Sequence, residues 1–187
     1  MTARRYWFPK PYADAVAKLR VPAGFLLLAA FLYLAAPNAR SLAVGAPVAF
    51  CGLLLRGWAA GHLEKNRQLA VSGPYAYVRN PLYLGTLVAA AGFVVAARRW
   101  ELGVIFAAAF ALIYLPVIEL EEQHLRQLFP SYADYARRVP LLVPRLRKPP
   151  HPRRFRWELY RRNEEYQAAL GFLAGLAVLV WKVLRQV

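Results

Sequence analysis

The chain reads as an all-α polytopic membrane protein of about five transmembrane helices, and three observations lead there. Apolar residues make up 59% of the 187, where a water-soluble domain carries nearer ~45–50%. They gather in runs of roughly 17–20 residues, enough at about 1.5 Å per residue to cross a hydrocarbon core of about 30 Å. Segments of alternating polarity, the mark of a membrane barrel, are missing, and within a bilayer only helices or closed barrels satisfy their own amides.

The elements follow in order. Residues 1–20 form an N-terminal cytoplasmic or interfacial segment, in which 12–20 alternate apolar and charged residues at helical spacing, as a short interfacial helix does. Arg4 and Arg5 are followed by no apolar core before Pro9, so this is not expected to be a cleavable signal peptide. A first span over 21–36 stops at Pro37-Asn38, and a second covers 42–61, together a first transmembrane hairpin over 21–61. Residues 62–146 hold a polar loop to 80, a third span over 81–97, a fourth over 102–118 and a polar stretch beyond it. A basic linker and a fifth span over 168–184 complete the last unit, 147–187. The links 37–41 and 98–101 leave room only for tight antiparallel hairpins, so the two long polar segments emerge on one side.

Charge orients the arrangement. Of the 25 Lys and Arg residues, nineteen fall in segments on the side of the N-terminus and five on the other, with Arg56 inside the second span. The positive-inside rule makes the first side cytoplasmic. The net charge of +15 is thereby explained by topology, and the expected partner is the anionic cytoplasmic leaflet; nucleic acid is not. Arg56 is expected to snorkel to the nearby interface, the alternative being that it reaches from the second span toward a pocket on the cytoplasmic side. Cys51, the sole cysteine, is expected to be buried in an apolar run, and His62, His124 and His151 stand far apart, so no metal is expected.

Two clusters are dense in chemistry. The first is GPYAYVRNPLYLG at 73–85. Gly73-Pro74 is a turn, Asn80 an N-cap with Pro81 at the first helical position, the tyrosines an aromatic belt, and Gly85 a helix-packing contact. The second, EEQHLRQLFPSYADYARRVP at 121–140, places Glu121, Leu125 and Phe129 on one helical face. Glu122 and Arg126 make an exposed pair at i,i+4, and Ser131 with Asp134 a capping box. Glu121 is harder to assign to structure alone, since a carboxylate at the end of a membrane helix faces headgroups or a protein cavity.

Taken together the two clusters resemble the isoprenylcysteine carboxyl methyltransferase and phospholipid methyltransferase families, over about residues 55–146. The resemblance implies a cytoplasm-facing pocket, formed by the loop and the helix after the fourth span, that holds S-adenosylmethionine. Carried over by position, the cofactor-binding residues are Arg67, Gln68, Leu69, Ala70, Tyr75, Asn80, Pro81, Leu82, Tyr83 and Glu121, with Arg79 and Glu121 as catalytic residues. Glu121 is assigned to the cofactor's ammonium or ribose, Arg79 to its carboxylate or to an anionic substrate group, and the tyrosines to the adenine or sulfonium. The family's histidine is Asn80 here, and a basic substrate contact of the isoprenylcysteine enzymes is Val117. The resemblance implies a small or lipid-like hydrophobic acceptor (carboxylate, amine or thiol), and the richness in Ala and Arg points to a bacterial inner membrane. Two other readings stand beside it: an NADPH-dependent reductase of the sterol-reductase type, and a non-catalytic membrane subunit without a cofactor-sized pocket.

Overall fold

The computed structural model describes residues 7–145 and 153–185, and among these the chain is helical with no strand. The helices are α1 (Lys10–Leu34), α2 (Ala39–Ala60), α3 (Pro81–Ala97), α4 (Trp100–Leu128), α5 (Tyr132–Arg138), α6 (Trp157–Arg162) and α7 (Tyr166–Leu184), with a short 3-10 turn at Gly73–Ala76. Four of them, α1, α2, α4 and α7, are long and apolar enough to cross a membrane, and α3 is a shorter apolar helix, which agrees with about five spans.

Two boundaries differ from the sequence reading. The interfacial segment and the first span are one helix, because nothing between residues 12 and 34 breaks it except Pro22, which the helix absorbs. Its start is pinned by Glu119, whose two carboxylate oxygens accept from the Trp7 and Phe8 amides at 2.7 and 3.0 Å. Likewise the helix that carries the fourth span does not end with it at 118. It runs on to Leu128, since the residues from Glu119 onward are good helix formers and the next breaker is Pro130. Within it lies a π-turn at Phe110–Tyr114. Pro116 lacks an amide and crowds the carbonyl four residues back, that of Leu112. The wider turn frees this carbonyl, which accepts the Tyr12 hydroxyl at 2.5 Å.

Packing is organised by glycine. α2 lies on α3 along nearly its full length. A Cβ on Gly45 would strike the backbone of Gly92 and Ala96, one on Gly52 that of Gly85 and Ala89, and one on Gly92 that of Ala49. The backbones therefore touch, as small residues allow in membrane helices. Gly85 is the helix-packing contact expected. Across the bundle α1 packs against α4 and its π-turn, while α2 takes α3 as its chief neighbour and α7 as a second.

The ends are closed by polar groups. Asn38 caps α2 in a reciprocal box with Ser41, at 2.8 and 3.0 Å. Lys182 donates to the Leu32 and Ala35 carbonyls at 2.7 Å each, so α7 closes the end of α1. Three local expectations fail. Asn80 occupies the N-cap position of α3 but its side chain makes no capping bond, turning to the Leu141 carbonyl at 3.4 Å. Ser131 makes no capping bond either: its backbone is already helical, and the Asp134 carboxylate is taken by Arg137. Cys51 is exposed on the outer face of α2, since the buried face belongs to the glycines.

Gly52→Ala and Gly92→Ala are expected to lower stability by about 1–3 kcal/mol through overpacking, whereas Gly171→Ala, which meets open space, stays within about 0.5 kcal/mol. Thermal unfolding of detergent-solubilised protein followed by size-exclusion fluorescence reads the difference.

Candidate functional site

The loop after α2, the start of α3 and the polar end of α4 converge at one end of the bundle. The loop is shaped by local chemistry. Gly73 has φ of +58°, and a Cβ there would collide with the His62 ring; His62 Nδ1 meets Ser72 Oγ at 3.1 Å. Asn66, also left-handed at φ 58°, meets His124 Nε2 of α4 through its side-chain oxygen at 3.2 Å. The 3-10 turn buries Tyr75, whose carbonyl accepts the Tyr135 hydroxyl at 2.8 Å and so ties α5 to the loop. The backbone after α5 runs beside the loop, with the Arg79 amide donating to Pro140 at 2.8 Å and the Arg145 amide to Tyr77 at 3.0 Å.

These contacts enclose a cavity of about 700 Å³, a size usual for cofactor sites. Gln68, Leu69, Ala70, Tyr75, Arg79, Leu82, Tyr83 and Glu121 line it together; Arg67, Asn80 and Pro81 do not. Tyr83 donates its hydroxyl to Glu121 at 2.9 Å, and both side chains belong to the cavity wall. Arg79 is ion-paired with Glu122 at 3.1 Å, and its Nε is buried with no protein partner. Glu122 therefore turns inward to Arg79 instead of pairing with Arg126, whose guanidinium lies 5.4 Å from the centre of the Tyr132 ring. Burial raises the hydroxyl pKa of Tyr75, Tyr132 and Tyr135 above the ordinary phenol value, so these groups carry no charge.

Arg56 is the largest departure from expectation. It does not snorkel. Its Nε and Nη2 bind the Glu165 carboxylate at 2.6 and 3.0 Å, and its Nη1 donates to Thr86 Oγ1 at 2.6 Å. An arginine with a partner in reach inside an apolar bundle gains more from the fork than from a stretch to water. Arg56 lines the same cavity, as do Arg20, Lys65, Tyr114, Val117 and His124. Periodicity carried a signal for some of these: Tyr114, Val117, Glu121, His124 and Leu125 recur at helical spacing on α4. Arg20, Arg56 and Thr86 lie on other helices and had no such signal.

A second cavity of about 700 Å³ lies within the apolar part of the bundle, between α1, α3, α4 and α7. Leu27, Phe31, Ala90, Phe93, Phe106 and Gly175 are among its walls, and Thr86 and Tyr114 belong to both cavities. Among the described residues no three His, Cys, Asp or Glu side chains converge as a metal site.

Burial lowers the pKa of His62 below its ordinary 6.5 and so favours the neutral ring. The folded chain then binds fewer protons than the unfolded one as pH falls below 6.5, so this contribution to stability is complete above that value and is lost on acidification. Thermal midpoints compared at pH 7.5 and 5.5 are expected to fall further for the wild type than for His62→Asn.

Residues 43–131 match the family model described as phospholipid methyltransferase. The chain is 35% identical over 133 residues to the nickel-cobalt-cadmium resistance protein NccN of Alcaligenes xylosoxydans xylosoxydans, covering 71% of this chain and 54% of that one. It is 38% identical over 97 residues to the cobalt-zinc-cadmium resistance protein CzcN of Cupriavidus metallidurans, covering 52% of this chain and 42% of the relative. The chain thus spans about half the length of the curated relatives it matches. No solved structure matches it. The matched segment contains the loop, α3 and the polar end of α4, which supply most of the cavity's walls, and over this segment the chain is similar to the phospholipid methyltransferase family.

Proposed function

We propose that the protein is an S-adenosylmethionine-dependent methyltransferase of the membrane, with its polar cavity open to the cytoplasm and a lipid-like hydrophobic molecule as acceptor. One observation carries the reading: a polar cavity with both signs of charge meets an apolar cavity inside the bundle at Thr86 and Tyr114. A charged nucleoside cofactor and an acyl-bearing or prenyl-like acceptor differ in polarity in the same way, and the junction is the one place where both can reach.

The residues present suit the cofactor. Its ammonium and carboxylate need partners of opposite sign, and Glu121 and Arg79, one of each sign, both line the polar cavity. Tyr75 and Tyr83 offer aromatic walls, where a cation is favoured over the ring face. Gln68, Leu69 and Ala70 add a wall of the loop beside them. Bound there, S-adenosylmethionine would supply an electrophilic methyl group whose carbon–sulfur bond breaks toward sulfur as the acceptor bond forms. The chain's own task is then to hold two molecules in line, since a near-attack contact of about 3–3.5 Å replaces a bimolecular encounter. Tyr83 fixes the Glu121 carboxylate by its hydrogen bond, and Glu122 holds Arg79 against the cavity wall. The nineteen basic residues assigned to the cavity's side by the sequence favour the cytoplasmic face and contact with anionic lipids.

S-adenosylmethionine should raise the melting temperature of the purified protein, and NADPH should not. Glu121→Ala and Tyr83→Ala should each weaken binding in calorimetry by about tenfold or more, the loss of one charge-assisted contact, while remaining folded. Tritiated methyl groups from the cofactor should appear in membrane lipid extracts treated with wild-type protein. A wild type that gives no thermal shift and no heat with S-adenosylmethionine removes the proposal.

A further inference from the structure

The segment after residue 153 lies outside the family match, yet it contributes to the wall between the two cavities. Glu165 precedes α7 and is 5% exposed. Its carboxylate grips Arg56 through both oxygens, and Arg56 in turn holds Thr86, a residue common to both cavities. The room for this comes from Gly85: a Cβ there would collide with the stem of Arg56 and with the Gly52 carbonyl. Nearby, Asn163 donates to the Ala60 and Leu63 carbonyls at 3.0 and 2.8 Å, closing the end of α2 and fixing the segment that carries Glu165.

An ion pair held in this way is a fixed dipole. Arg56 lines the polar cavity and Glu165 does not, so the positive end faces the junction and the negative end is turned away. Thr86 accepts from Arg56 and donates to its own helix at Leu82, at 3.0 Å, so its hydroxyl proton is already engaged. A chain that emerges from the apolar cavity past Thr86 therefore meets the guanidinium of Arg56. This group attracts electron-rich oxygen and repels an ammonium.

Resting on the function proposed above, we infer that the apolar cavity takes the chain of a long-chain acceptor whose head is an anionic oxygen group, that Arg56 contacts this head, and that Glu165 is the positioning residue for Arg56. Removing one charge leaves the other buried and unpaired, which destabilises a protein strongly. The informative variants therefore change both: the neutral pair Arg56→Gln/Glu165→Gln, and the exchanged pair Arg56→Glu/Glu165→Arg, which keeps an ion pair but reverses its dipole.

The probe is cis-parinaric acid, a fluorescent long-chain carboxylate, bound to the full chain in detergent micelles and displaced by palmitate or by hexadecylamine, with protein-free micelles subtracted. In the wild type palmitate is expected to displace it at about tenfold lower concentration than the amine, the size of one charge-assisted contact. The neutral pair should bring the two displacers level, and the exchanged pair should favour the amine while melting like the wild type. An amine as effective as the acid in the wild type, a preference for the acid that survives in both double variants, or no displaceable parinarate would overturn the inference. The assay contains no cofactor, so its outcome is separate from the S-adenosylmethionine titration that tests the proposed function.

Discussion

The backbone-to-backbone contact between α2 and α3 is the constraint from which the site follows. In a bilayer, helices gain nothing by hiding apolar side chains from lipid of equal polarity, so association depends on close packing and on polar contacts between helices. Gly45, Ala49 and Gly52 on one helix face Gly85, Ala89, Gly92 and Ala96 on the other, and Ser41 adds a hydrogen bond to the Ala96 carbonyl at 2.8 Å. This contact sets how far α3 can shift along α2. It also decides what lies one turn further on: with no side chain at position 85, the Arg56 stem passes across α3 to Thr86 and Glu165. The packing motif and the charged junction are the two ends of one seam.

A second constraint acts from the opposite wall. Pro116 cannot take part in a regular helical ladder, and the π-turn before it is the local response. The freed Leu112 carbonyl is taken by Tyr12 of α1, while Glu119 holds the residues before α1. The irregular turn carries Tyr114, whose ring meets Tyr83 edge to face with centroids 6.3 Å apart. The aromatic face at the junction thus depends on a proline two residues beyond Tyr114 and on a tyrosine 100 residues before Leu112, the partner of that hydrogen bond.

Much of the architecture was legible because lipid imposes length and polarity on each helix, and because Gly73-Pro74 and Asn80-Pro81 punctuate the chain in ways backbone chemistry requires. The meeting of Tyr83 with Glu121 could be expected from the two clusters, each of which is local. What escaped was set by contacts between distant segments. Nothing near Arg56 in sequence announces Glu165, so an isolated arginine in an apolar run reads as one that reaches for the interface. Glu122 and Arg126 stand at the spacing of a helical pair, yet Arg79 arrives from another element and takes the carboxylate. Local spacing predicts a contact only where no stronger partner is folded against it. Cys51 shows the same rule for burial: apolar neighbours along the chain do not say which face of α2 the glycines claim.

The exchange of the family's histidine for Asn80 can be understood in the same terms. Asn80 does not line the polar cavity. Its amide nitrogen reaches the Leu141 carbonyl, next to the bond from the Arg79 amide to Pro140. Both bonds fasten the segment after α5 to the loop before α3, and so hold Tyr132 and Tyr135 in the cavity wall. A side chain with a ring N–H and one with an amide N–H can each donate such a bond, so the exchange keeps the fastening while giving up a titratable proton. A proton acceptor at this position is then unnecessary to the geometry, and an acceptor molecule with an anionic oxygen head would arrive already deprotonated. Under the proposed function, an asparagine at position 80 and a guanidinium at the junction fit the same acceptor chemistry, an anionic oxygen that attacks without a general base.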